Sequence, residues 1–85
     1  MIYEILFTNT ARDELKTLEN SIQKRIIGVF ERIRIRPESY LKRLTGVPYF
    51  RLRVGDYRLI LDLQKDKLVI LVVRLGHREN IYNKI

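Results

Sequence analysis

The chain has 85 residues, 46% of them hydrophobic and 32% charged, enough apolar material for one hydrophobic core and too little for two; a single domain over residues 1–85 is expected. It contains no cysteine, which excludes disulfides and thiolate metal sites, and it shows neither a basic leader with a long apolar region nor a spanning run of ~20 apolar residues, so a cytoplasmic protein with no membrane contact is expected. Seventeen Lys and Arg against ten Asp and Glu give a net charge of +7, which favours a polyanionic partner.

Ile2, Ile5 and Phe7, interleaved with Tyr3, Glu4 and Leu6, predict a short N-terminal strand. The polar cluster Thr8-Asn9-Thr10 ends it and can cap a helix. Ala11, Leu15, Leu18, Ile22, Ile26, Phe30 and Ile33 then recur every three or four residues, the period of a helix. Asn20, three residues before Gln23, has the spacing of a capping box and predicts a second helix starting there, hence a helical hairpin. Pro37 disfavours helix at Arg36, so this helix should stop near that point. The segment through Arg43 should be a loop or short turn, and Leu44 to Pro48 a loop.

The positive charge gathers in this region. Residues 32–53 hold Arg32, Arg34, Arg36, Lys42, Arg43, Arg51 and Arg53 against Glu38 alone, a local balance of +6. Arg32, Arg34, Arg36, Lys42 and Arg43 are therefore candidates for gripping an RNA backbone by charge.

Beyond the loop the period changes to two. Phe50, Leu52 and Val54 alternate with Tyr49, Arg51 and Arg53, and Gly55-Asp56 predicts a two-residue type II′ hairpin turn into a returning strand, Tyr57 to Leu63. The chain turns again near Lys65-Asp66, and the apolar run Leu68 to Val73 predicts an inner strand broken by Gly76. Ile81, Tyr82 and Ile85 punctuate a polar tail that predicts a short C-terminal helical segment. The fold class is α+β: an N-terminal strand, a helical hairpin, then a three-stranded antiparallel meander, making a four-stranded sheet with helices on one face. Tyr40 and Tyr49 read as half-buried packing residues.

A two-residue turn pairs Val54 with Tyr57 and sets Arg53 across from Arg58, with Arg51 on the same face. Like charges facing each other in a sheet cost a few tenths to ~1 kcal/mol, so stability alone would not select them. Three planar guanidiniums on one face suit a phosphate, whose charge grows in a phosphoryl-transfer transition state. No histidine pair or carboxylate cluster has metal-ligand spacing, and no cofactor is indicated. Metal-free cleavage of RNA uses the substrate's own 2′-hydroxyl as nucleophile, which DNA lacks.

The run Leu44-x-Gly46-x-Pro48-x-x-Arg51-x-Arg53, then Gly55-Asp56-Tyr57-Arg58, the strand closing in Val73-Arg74-Leu75-Gly76-His77-Arg78-Glu79, and finally Ile81-Tyr82, resembles the RelE/ParE toxin superfamily, its RelE branch most. The resemblance implies a type II toxin that enters the ribosomal A site and cuts messenger RNA, leaving a 2′,3′-cyclic phosphate. It implies that Arg51, Arg53, Arg58 and Arg78 stabilise the phosphate and that Tyr82 serves as general base and stacking surface. The RelE pattern carries lysines where this chain has Arg51 and Arg53; arginine cannot act as a base near neutral pH. Proton transfer would then fall to Tyr82 or to His77, the single histidine and the side-chain type that titrates near neutrality. A cognate RelB-like antitoxin, the ribosome and messenger RNA are the implied partners. An apolar inner strand that two short helices cover on one face only agrees with an antitoxin. The same fold supports two other functions, a ParE-like inhibitor of DNA gyrase and a binding module with a decayed active site.

Overall fold

Helical period in the first half and alternation in the second produce the expected α+β order. A computed structural model describes residues 2–77; the predicted C-terminal helical segment, with Arg78 and Tyr82, lies outside the described residues. Strand β1 (Glu4–Phe7) leads into helix α1 (Asn9–Lys16) and helix α2 (Asn20–Ile33), followed by a 3-10 turn (Pro37–Ser39). Strands β2 (Lys42–Arg43), β3 (Phe50–Val54), β4 (Tyr57–Gln64) and β5 (Val69–His77) complete the described residues. The sheet order is β1-β5-β4-β3-β2, with β1 parallel to β5 and all other neighbours antiparallel. The apolar strand β5 is an inner strand, as its composition predicts, lying between β1 and the middle strand β4.

Three local expectations are corrected. The sheet has five strands rather than four, because Lys42 and Arg43, expected in a loop, pair with Arg51 and Phe50. Two residues are too few to show alternation; the Leu44 N–H to Tyr49 carbonyl bond (2.9 Å) folds them back onto β3. Gly76 does not end β5, which continues to His77 with Gly76 paired to Arg58. The N-cap position of helix α2 is Glu19 rather than Asn20, with no side-chain cap bond, and Gln23 donates to the Leu18 carbonyl (2.8 Å) instead of closing a capping box. That bond joins the start of α2 to the end of the preceding loop.

The core forms where the helical stripe meets the alternating strands. Ile26, Phe30 and Ile33 of α2 are buried with Leu52, Val54, Leu59, Leu61, Ile70, Val72 and Leu75 of the sheet, and Phe7 meets Phe30 edge-on at 5.7 Å. Each such side chain contributes about 1.5 to 3 kcal/mol by leaving water. Because side chains alternate across a strand, the same β3 and β4 turn Arg51, Arg53 and Arg58 to the other face.

Helix α1 protects an edge. Strand β1 pairs with β5 only as far as Val72, and the rest of that edge is met by α1 and its cap. The Thr8 hydroxyl donates to the Val73 carbonyl (2.8 Å) and accepts from the Ala11 N–H (3.0 Å), so one side chain caps α1 and ties it to the strand. Farther along, the Glu14 carboxylate accepts from the Leu75 N–H (3.0 Å) and is gripped by the Arg74 guanidinium through Nε (3.2 Å) and Nη2 (3.1 Å). Loss of that carboxylate leaves the Leu75 N–H without its acceptor and removes the bidentate partner of Arg74. Glu14→Ala is expected to lower the unfolding free energy by about 2 to 3 kcal/mol, with Glu14→Gln losing less, as measured by urea denaturation.

Candidate nucleic-acid interface

The hairpin turn sets the geometry of the site. Gly55 has φ +59° and Asp56 keeps a negative φ, as a type II′ turn requires. Val54 pairs with Tyr57 and Arg53 with Arg58, the predicted register. The Arg53 Nε donates to the Gly55 carbonyl at 3.1 Å, which steadies one guanidinium against the turn. A Cβ on Gly55 would lie 3.2 Å from Nη1 of Arg25, so both backbone conformation and the close approach of α2 favour glycine.

The arginines open onto a cavity of about 350 Å³ beside α2, β2 and the hairpin. Arg51, Arg53 and Arg58 line it, joined by Arg32 from α2 and Lys42 from β2. Val29 and Leu52 add apolar surface and Tyr40 an aromatic ring, and among the described residues no carboxylate lines it. The Nε of Arg58 is shielded from solvent. Among the described residues, the ion pairs Arg34–Glu31, Lys65–Glu38 and Arg74–Glu14 do not involve Arg32, Lys42, Arg51 or Arg53. Five cations around one concavity create a local positive potential, the kind of field that suits a phosphate.

The other candidates separate. Of the basic segment, Arg32 and Lys42 join the arginine cavity. Arg34 bonds the Tyr3 carbonyl (3.1 Å) and Glu31 (3.3 Å), Arg43 lies over the Phe50 ring at 5.6 Å, and Arg36 lines a neighbouring hollow. Tyr49 is half-buried as expected, but Tyr40 is exposed. His77 is not brought to the arginines. It pairs with Tyr57, whose ring it meets edge-on at 5.7 Å, and so shares the face of Leu59 and Leu75, opposite Arg58. A register shift between Ile60 and Leu61 skips Val73 and exchanges the faces of the residues beyond it. Without the shift, strict alternation from Ile70 and Val72 would have turned His77 toward the arginines. Arg78 and Tyr82 lie outside the described residues. Among the described residues no cluster of His, Cys, Asp or Glu has the makings of a metal site, and no helix is long and apolar enough to cross a membrane.

Residues 5–82 match the family model for the ParE toxin of the type II toxin-antitoxin system parDE. The chain belongs to the ParE toxin family of type II toxin-antitoxin systems. Among its sequence relatives, toxin RelG of Mycobacterium tuberculosis is 32% identical, with 99% of this chain and 100% of RelG covered. The toxin is also similar in structure to a chain of the RelBE2 toxin-antitoxin complex from M. tuberculosis, with a TM-score of 0.82 and 26% identity over 92% of this chain and 100% of that one. A chain of the RelB-RelE complex from Methanococcus jannaschii matches with a TM-score of 0.71 and 29% identity, covering 94% of the toxin and 98% of its counterpart.

The arginine face works against folding, so removing part of it separates binding from stability. Arg53→Ala is expected to leave the urea unfolding free energy within about 0.5 kcal/mol of wild type. In the same variant the slope of log Kd for single-stranded RNA against log salt should fall by about 0.7.

Proposed function

We propose that this toxin is a ribosome-dependent endoribonuclease that cuts messenger RNA in the A site. The single observation that carries this reading is the cavity in which Arg51, Arg53 and Arg58 converge with Arg32 and Lys42. In the proposed reaction the 2′-oxygen attacks the adjacent phosphorus and the P–O5′ bond breaks. The products are a 2′,3′-cyclic phosphate and a 5′-hydroxyl. One proton leaves the 2′-hydroxyl and one reaches the departing oxygen. Arg51, Arg53 and Arg58, with Arg78 from the resemblance, stabilise the charge that collects on the nonbridging oxygens. The reaction needs no metal ion or cofactor.

Proton transfer is assigned to Tyr82. His77 stands on the opposite face and packs against Tyr57, which ranks it second. A RelB-like antitoxin is the proposed cellular partner, by analogy with the RelB-containing complexes that the fold resembles. The cytoplasm is the compartment in which both ribosome and antitoxin would be met.

The matching family model is described for ParE, and this favours a second reading, a gyrase inhibitor. The arginine cavity has no evident part in that reading. The decisive measurement mixes the purified toxin with programmed ribosomes and maps cleavage, with naked RNA and gyrase supercoiling run in parallel. Cleavage confined to ribosome-bound message is expected, with supercoiling untouched; loss of supercoiling without cleavage would replace the nuclease by the inhibitor. In single turnover, Arg51→Ala and Arg58→Ala should each slow cleavage by about 100-fold or more. Tyr82→Phe should slow it about 100- to 10,000-fold and His77→Ala much less; wild-type rates in Tyr82→Phe would remove that residue from proton transfer.

A further inference from the structure

Tyr40 is 45% exposed and Ile35 59% exposed, whereas the apolar side chains of α2 and the sheet turn mainly inward. Both line a hollow of about 300 Å³ together with Arg32, Arg36 and Ser39. Arg32 and Tyr40 also line the arginine cavity, so the two spaces share a wall. The backbone that carries the ring is anchored: the Tyr40 N–H donates to the Pro37 carbonyl at 3.0 Å, and Pro37 is itself buried. An exposed aromatic standing between a cationic cavity and a partly apolar hollow with basic neighbours has the makings of a single-strand site. Guanidiniums take the phosphate, and the ring offers its face to a base.

We propose that this hollow is a nucleobase subsite for single-stranded RNA, with Tyr40 as its stacking surface. The base it receives belongs to the nucleotide adjoining the phosphate held by Arg51, Arg53 and Arg58, so the proposal rests on the reading of that cavity as a phosphodiester site. Ile35 gives the base a second apolar contact, and Arg32 sits where the backbone passes from one space to the other. Arg36 and Ser39 bring hydrogen-bond donors to the base edge.

The test uses short 2′-O-methyl RNAs, in which the 2′-oxygen cannot attack, and fluorescence anisotropy at low salt. One abasic position is stepped through the RNA. Wild-type toxin should lose affinity at a particular abasic position. Tyr40→Ala should weaken binding of the intact RNA about 5- to 100-fold and flatten the abasic scan, while Tyr40→Phe retains both affinity and scan. Arg53→Ala should weaken every RNA alike and keep the shape of the scan. A flat wild-type scan overturns the base subsite without recourse to any variant. Equal losses for intact and abasic RNA in Tyr40→Ala overturn it too, as does docking of a protein on Tyr40 with RNA affinity unchanged. If instead no RNA's affinity depends on Arg51 or Arg53, the phosphate reading itself is overturned.

Discussion

Arg53 and Arg58 face each other because a two-residue turn leaves the chain no other register, and the cationic face of the sheet depends on that constraint. One residue more in the turn would rotate one strand against the other, sending Arg58 into the core and a leucine into the cavity. The repulsion between opposed guanidiniums is small beside the burial of Leu52, Val54, Leu59 and Leu61 on the other side of the same two strands. Core and cationic side chains thus alternate along one hairpin, and Leu52 of the core also reaches the cavity wall. Apolar burial on one face keeps cations together on the other.

The sequence declared those elements in which a single physical signal dominates. The hairpin was legible because glycine in first place selects the turn, and the turn selects the pairing. The helical stripe from Ala11 to Ile33 and the inner apolar strand were legible because their periods extend over enough residues to be unambiguous. Arg51, Arg53 and Arg58 followed directly from that register. Less legible were features decided by tertiary contact. Lys42 and Arg43 form a strand only because Arg51 and Phe50 are there to receive them. Gly76 stays within β5 because Arg58 and its neighbours pair across it, where local propensity would end the strand. Tyr40 lost its expected burial because the 3-10 turn before it is pinned by Pro37.

His77 illustrates how a single skipped residue redistributes chemistry. Strict alternation along β5 would place Ile70 and Val72 on one face and Leu75 and His77 on the other. The register shift at Ile60 and Leu61 instead returns Leu75 to the core and His77 to Tyr57, and it puts Arg74 across from Ile60. The Thr8 hydroxyl holds the skipped Val73 by its carbonyl. A helix cap at one end of the chain therefore secures an irregularity near the other.

The parallel pairing of β1 with β5 has a kinetic corollary. Glu4 meets Val69 and Phe7 meets Val72, so the contact that completes the sheet joins segments separated by most of the chain. Such closure is entropically slow, and the barrier to folding is set largely by it. Until β5 arrives, its two neighbours β1 and β4 have no strand between them and the guanidiniums of β3 and β4 rest on an unsupported ribbon, which is marginal in water on its own. A chain interrupted before Val69 would therefore carry the charges of β3 and β4 without the strand that supports them.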